Sequence, residues 1–304
     1  MASSTHDSTA KAILYAFLAN FGIALSKSWA AWLTGSGSML AEAIHSYADA
    51  GNQILLFLGL RQSTRAPDEL HPLGYGKLSY FWSFIVAMLL FSVGGLFSIY
   101  EGVHKLSAPE PLNQAWVALL VLGVAIVLET FSLLGCLKEI RAIRGTRSFR
   151  EWLKHTRNSA LVVVLGEDIA ALLGLVLAFV FVSLAVLTGN VVFDAIGSIC
   201  IGIILVVISV MLTLRVRSLL VGQSADPLVQ EAIATVMDEM EAVEEVFNTI
   251  TMQFGPDTML ATKVRLRKGI SMEEGVAAIN AMEVRLKASI PELKWCFVEP
   301  DLSD

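Results

Sequence analysis

The sequence predicts an all-α membrane domain of six transmembrane helices, residues 1–222, followed by a cytoplasmic α+β domain of order αββαβ, residues 223–304. Three observations predict it. The chain is 55% hydrophobic and 16% charged, with a mean hydropathy of +0.65, whereas soluble domains are about a quarter charged. Its apolar residues are bunched into runs near the ~20 residues that a spanning helix needs. After LLVGQSADP the character changes: the residues from Asp226 onward carry a net charge of −8, and those before it carry +2.

The six apolar runs are 11–33, 38–60, 77–105, 113–137, 160–187 and 191–216. The opening MASSTHDSTA is polar and lacks the basic-then-apolar order of a cleaved signal, so the first run is expected to stay as a helix. Lys and Arg set the orientation. The link between runs four and five carries Lys138, Arg141, Arg144, Arg147, Arg150, Lys154 and Arg157. Arg61, Arg65 and Lys77 flank the link between runs two and three, and Arg215 and Arg217 close run six. The opposite links, TGSGS and TGNV, carry none. Both termini are therefore expected in the cytoplasm. Cys136, Cys200 and Cys296 are far apart and match no metal or disulfide spacing.

Within the tail, Leu228–Met240 has helical periodicity, and Val246–Phe254 alternates like a strand. GPD at 255–257 is a turn. Leu260, Thr262, Val264 and Leu266 share one face of a second strand. Ser271 and Glu274 form a capping box that opens a helix to about residue 290, and Lys294–Val298 is a last short strand. Such an order places helices on one side of a small sheet.

Ionisable residues inside spans are costly and mark function by default. Here they are Lys27, Glu42, His45, Asp49, Glu129, Glu167, Asp168 and Asp194. His45 and Asp49 stand at i, i+4 on one helix face. That spacing offers an imidazole nitrogen and a carboxylate oxygen to a divalent transition ion. The structural alternative is a hydrogen-bonding pair that holds the bundle together. Asn52 and Gln53 continue the stripe. Glu167 and Asp168 are adjacent and point about 100° apart, so one can face an ion while the other meets a neighbouring helix; Val164, one turn earlier, cannot ligate. Glu129 reads either as a proton carrier or neighbour of the site, or as a partner for a buried hydroxyl or Lys27. Lys27 is expected to pair with an acid or to snorkel. Glu42 and Asp194 lie nearer the outer face, in mouth-lining or structural roles; Glu42 is also a candidate proton or supporting group. In the loop APDELHPLGYGK, Asp68 and His71 are candidate accessory ligands, set against a plain polar turn.

Together these features resemble the cation diffusion facilitator family of zinc-type metal/proton antiporters. The resemblance covers nearly the whole chain. It rests on TGS before run two, HSYAD within it, HPLGYGK before run three, and SADP entering the tail. It implies a ferredoxin-like C-terminal domain, a homodimer through that domain and the membrane domain, and protons as counter-ion. It also implies a transport site of His45 and Asp49 from run two and Asp168 from run five, joined by Glu167. The family usually has His-x-x-x-Asp in run five; here the motif reads Val164-Leu-Gly-Glu167-Asp168. This departure resembles the divergent branch that includes the mitochondrial-type zinc transporter of animals. Fewer nitrogens and more carboxylates admit Mn²⁺, Fe²⁺ or Co²⁺, with Zn²⁺ placed first because His45 remains. Tyr75 stands where a second loop histidine would be. The tail has no histidine, and reads Phe297-Val-Glu299-Pro300 where relatives read His-x-Glu/Asp-Pro.

The implied cycle is alternating access, runs one, two, four and five rocking against three and six. Metal binding requires deprotonated ligands, which couples metal to protons. The expected activity is export of a divalent cation through a lipid bilayer, with no organic cofactor and no nucleic-acid partner. The alternatives are a metal sensor or a membrane metalloenzyme without flux; the HExxH-like spacing of the latter is absent from the sequence. The opening residues lack an Arg-rich transit segment, which favours a bacterial inner membrane.

Overall fold

The computed structural model describes residues 20–109, 111–112 and 114–303. The start of the first apolar run lies outside the described residues, as does the first residue of the fourth. The chain divides into two compact units. The first takes the chain up to Arg61, Phe81–Thr146 and Ala160–Arg217; the second takes Gln62–Tyr80, Arg147–Ser159 and Ser218–Asp304.

The first unit is helical. Its elements are α1 (20–34), α2 (Gly37–Ser63), α3 (Leu78–Ser107), α4 (Ala115–Ile143), α6 (Ser159–Thr188) and α7 (Val192–Val221); the short α5 (Phe149–His155) belongs to the second unit. Among the described residues four helices, α3, α4, α6 and α7, are long and apolar enough to cross a membrane. This is a helical membrane-type domain. α2 has the length, at 27 residues, but a polar stripe lowers its hydropathy.

The start of α2 is pinned by a side chain from α7. Asp194 is buried, and its Oδ2 accepts the Gly37 N–H at 2.7 Å. Its Oδ1 accepts the Ser36 hydroxyl at 2.7 Å and the Ser38 N–H at 3.3 Å. The first N–H groups of a helix have no intrahelical partner, and a carboxylate there also meets the positive end of the helix dipole. The turn before α2 needs Gly35, whose φ is +67°; only glycine takes that conformation without strain.

α3 is not uniform. Leu90–Leu96 forms a π-helical segment between two α-helical ones, a distortion that recurs at functional sites. α3 and α7 touch at backbone level: a Cβ on Gly202 would lie 2.7 Å from the Gly95 carbonyl oxygen. Small residues permit such close approach in membrane bundles.

The second unit holds the αββαβ domain: α8 (Pro227–Asp238), β1 (Val243–Phe254), β2 (Asp257–Leu266), α9 (Met272–Ser289) and β3 (Leu293–Pro300). β2 is central, antiparallel to β1 and parallel to β3. The β1–β2 hairpin turns at Gly255, with φ +62°, and Pro256. Thr258, Leu260, Thr262 and Val264 are buried on one strand face. Leu260 and Val264 pack against Ile233, Met237, Met282 and Leu286 of the two helices. Ser271 caps α9 in the full capping box with Glu274.

Two loop segments join this unit. Arg147 makes a bidentate pair with Asp226, at 2.7 and 2.8 Å. Asp226 in turn caps α8 by accepting the Leu228 N–H. Burial works to raise the Asp226 carboxyl, but the bonds from Arg147 and Leu228 outweigh it and hold the group below the usual carboxylate range. A depressed carboxylate stabilises the fold above its unfolded pKa and loses that contribution as acid protonates it. Arg157 donates to the Ser224 and Ala225 carbonyls, and the Tyr80 hydroxyl to the Gly255 carbonyl.

Leu260 is fully buried at the centre of the α/β core. Leu260→Ala is expected to cost about 2–5 kcal/mol, read as a lower denaturant midpoint for the second unit of the full chain. A midpoint within error of wild type would mean that this core does not carry the domain.

Candidate metal centre

α2 presents one polar face. Glu42, Ser46, Asp49 and Gln53 recur at helical spacing, and His45 and Asn52 flank them. His45 Nε2 stands 3.5 Å from Asp49 Oδ2. Neither ring nitrogen of His45 has a hydrogen-bond partner, and neither does Asp49 Oδ1, Asn52 Oδ1 or Gln53 Oε1. Buried polar groups are bonded as a rule, so a cluster of orphans marks a place where something else supplies the partner.

α6 contributes Glu167 and Asp168, both buried. Their directions differ as neighbouring helical residues must, and the structure uses both. Glu167 Oε1 reaches α2 and accepts from Asn52 Nδ2 at 2.6 Å. Asp168 Oδ1 turns toward α4 and accepts from the Ser132 hydroxyl at 3.4 Å, while its Oδ2 has no partner.

Asp49, Gln53, Glu167 and Asp168 line a cavity of about 40 Å³. Since ~10–15 Å³ admits one water, it has room for a partly hydrated ion. Its lining comes from four helices: Asn20 and Ile23 of α1, Ser46, Asp49 and Gln53 of α2, Glu129 and Ser132 of α4, and Val164, Glu167 and Asp168 of α6. α3 and α7 contribute nothing to it. Four carboxyl side chains therefore face one small space.

His45 does not line this cavity. Its ring lies beside the π-helical segment of α3, where a Cβ on Gly94 would be 3.8 Å from Nδ1. Among the described residues no three His, Cys, Asp or Glu side chains converge closely enough to hold an ion as they stand. The cavity lining offers oxygen donors alone.

The remaining candidates are placed elsewhere. Lys27 of α1 is buried, with Nζ 3.1 Å from Glu42 Oε2 and 2.7 Å from Ser46 Oγ. Glu42 is thus engaged by Lys27, and Glu129 is not. Asp194 serves the α2 cap. In the exposed loop, Asp68 accepts from the Tyr75 hydroxyl at 2.5 Å and the His71 N–H at 2.8 Å, with His71 Nδ1 3.3 Å away. Those bonds, the tyrosine's first, hold Asp68 below the usual carboxylate range. Tyr75 is stacked under Arg65, so Asp68 closes the turn rather than facing an open ligand set. Sequence reasoning missed Ser46, Ser132 and Asn20. Hydroxyls give no signal in an apolar run, because there they can bond back to their own helix.

Comparison with known proteins shows what the chain is similar to. The cation efflux transmembrane domain matches residues 13–221. The chain is 34% identical over 256 residues to the proton-coupled zinc antiporter SLC30A9, mitochondrial, of Xenopus laevis, covering 83% of this chain and 45% of that protein. It is 32% identical over 248 residues to metal tolerance protein C4 of Arabidopsis thaliana, covering 81% and 54%. The chain thus spans about half the length of these curated relatives. Among solved structures, a single-substitution variant of the MamM C-terminal domain is similar at 15% identity and a TM-score of 0.24, covering 24% of this chain and 92% of that one.

Among the described residues, Asn52 is the one donor to Glu167. Asn52→Leu is expected to weaken equilibrium Zn²⁺ binding about 10- to 100-fold, the usual effect of losing a partner behind a ligand. Calorimetry on the detergent-solubilised protein reads this directly. An unchanged affinity would take Glu167 out of the site.

Proposed function

The chain belongs to the cation diffusion facilitator family, and on that premise we propose that it carries a divalent transition-metal cation, zinc first, across a membrane in exchange for protons by alternating access. The observation that carries this reading is the small cavity lined by Asp49, Glu129, Glu167 and Asp168 from three helices of a membrane-type bundle. Four acids in so small a space repel one another unless a cation or protons neutralise them. Metal and protons thereby compete for the same oxygens, and exchange follows from ligand chemistry alone.

In this reading Asp49 and Asp168 bind the ion, Glu167 completes the set, and His45 adds nitrogen by turning from α3 toward Asp49. Glu129 holds protons at the α4 wall. The four helices that line the cavity move together against α3 and α7, which are close-packed on each other. All six helices of the first unit span the bilayer, with the basic links and both termini on one side, taken as the cytoplasm of a bacterial cell. Asp68 and His71 are held within their turn and take no part. Residues 1–222 form the transport domain and 223–304 the appended domain.

The appended domain is proposed to pair two copies. Its sheet has one face covered by helices, while Ile250 and Phe297 on the strands stay more than half exposed, at 54% and 55%. A second substrate reading has its own support: an oxygen-only lining suits Mn²⁺ or Fe²⁺ better than Zn²⁺.

The test is uptake into proteoliposomes under an imposed pH gradient, with Zn²⁺, Mn²⁺, Fe²⁺ and Co²⁺ offered in turn. Asp49→Ala, Asp168→Ala and His45→Ala are each expected to abolish uptake while the protein stays folded. Full uptake in Asp49→Ala or Asp168→Ala would remove the cavity from the mechanism. Uptake of Mn²⁺ that survives His45→Ala would favour the oxygen-only reading. Bound metal with no uptake of any ion would turn the assignment to a sensor or an enzyme.

A further inference from the structure

We propose that the buried Lys27–Glu42 pair is the gate that closes the acidic cavity on the side away from the basic links, and that an ion leaves on that side only when the pair separates. The inference deepens the transport reading and rests on it.

The first support is position. α1 ends and α2 begins at the Gly35 turn, so each helix can be measured from that end. Glu42 lies five residues into α2 and Asp49 twelve, about 10 Å apart along the helix axis. On α1, the cavity is lined by Asn20 and Ile23, and Lys27 stands one turn beyond Ile23 toward the same end. On α6, the cavity is lined up to Asp168, and Gly174 lies beyond it, again toward that end. The ion pair therefore sits past the cavity on all three helices. The opposite side of the cavity leads through Asn20, Gln53 and Val164 toward the basic links.

The second support is closure. Lys27 is 2% exposed and Glu42 0%. The ammonium bridges Glu42 and Ser46, and Ser46 also lines the cavity. The carboxyl of Glu42 fills a notch in α6: a Cβ on Gly174 would lie 2.4 Å from Glu42 Oε1. Three helices are thus joined at one point.

The third support is charge. A fixed ammonium across the path repels a divalent cation, most strongly where water is excluded. A latch made of apolar side chains would block the ion without responding to it. Glu42 responds, because its Oε1 is buried and has no partner. That oxygen is the first new ligand for a cation moving past Ser46. An ion drawn to it weakens the hold on Lys27, so the cargo itself unlocks the gate. A pair that only neutralised two buried charges would need no free oxygen pointing at a notch.

The experiment uses the full chain in proteoliposomes. Lys27→Met alone leaves Glu42 charged and unpaired and risks misfolding, so the working variant is the neutral, near-isosteric K27M/E42Q, compared with the charge swap K27E/E42K. The quantity read is the decay of a pH gradient in metal-free vesicles. K27M/E42Q is expected to speed the decay about tenfold or more, as a loosened closed state should. The swap is expected to restore a tight gradient. A K27M/E42Q vesicle that holds its gradient like wild type overturns the gate, and so does a swap that leaks as fast as the neutral variant. Wild-type Zn²⁺ uptake, run alongside, tests the transport reading separately: its absence sinks that reading, while the leak comparison still judges the gate.

Discussion

The membrane unit is organised by the carboxylate of Asp194 beneath the first turn of α2. Lipid offers no hydrogen bonds, so the free N–H groups at a helix start must be satisfied by protein. Asp194 takes three donors there, and this bond sets where α2 begins. Because the polar stripe of α2 follows at fixed helical steps, the same bond sets its register. Glu42 then meets Lys27, Ser46 meets both Lys27 and the cavity, and Asn52 meets Glu167 on α6. Moving the start of α2 by one residue would rotate the whole stripe by about 100° and point Asp49 away from Asp168.

Polar groups in this unit fall into two kinds, and the division has chemical meaning. Asp194, Lys27 and one oxygen each of Glu42, Glu167 and Asp168 have partners in the protein. Around the cavity, Asp49 Oδ1, Gln53 Oε1 and Asp168 Oδ2 have none. The satisfied groups hold helices together, as buried ion pairs and amide bonds do. Those of Asp49, Gln53 and Asp168 belong to residues that line one space of ion size, whereas Glu42, His45 and Asn52, which also carry unpartnered atoms, do not line it. A bundle stabilised only by its polar contacts would leave no such remainder. Lys27 belongs to the first kind by its bonds and borders the second by its place, through Ser46.

Much of this was legible in the chain. The helical runs, the αββαβ order and the Ser271 capping box follow from period and cap chemistry that act locally. The edges moved: β1 begins at Val243 rather than 246, because bulges near Glu245 and Val246 extend the pairing past the clean alternation. The short α5 escaped notice because seven residues, about two turns, are too few to show a periodicity. At the site, the sequence singled out Asp49, Glu167 and Asp168, all of which line the cavity. It grouped His45 with them, because i, i+4 spacing fixes a shared face but not how far each side chain turns around it. The partner choice of Lys27, between Glu42 and Glu129, depends on helix packing and is invisible in one dimension. The same holds for Gly174, which reads as a routine small residue until Glu42 is seen filling the space above it.

In the proposed transport reading, the position of His45 ties ion choice to helix arrangement. The carboxylates and amides around the cavity are hard donors, and they discriminate poorly between zinc and manganese. In the proposed cycle the one imidazole near them among the described residues decides the matter by joining or staying away. Its ring rests against the π-helical part of α3, and α3 is joined to α7 through the Gly95–Gly202 contact. These two helices supply no lining to the cavity. A shift of that pair along α2 therefore acts on the nitrogen donor while leaving the oxygens in place. On the proposed reading, the ion is held through nitrogen and oxygen in one arrangement and through oxygen alone in another. The difference in affinity between the two arrangements is what allows a carrier to bind on one side and release on the other.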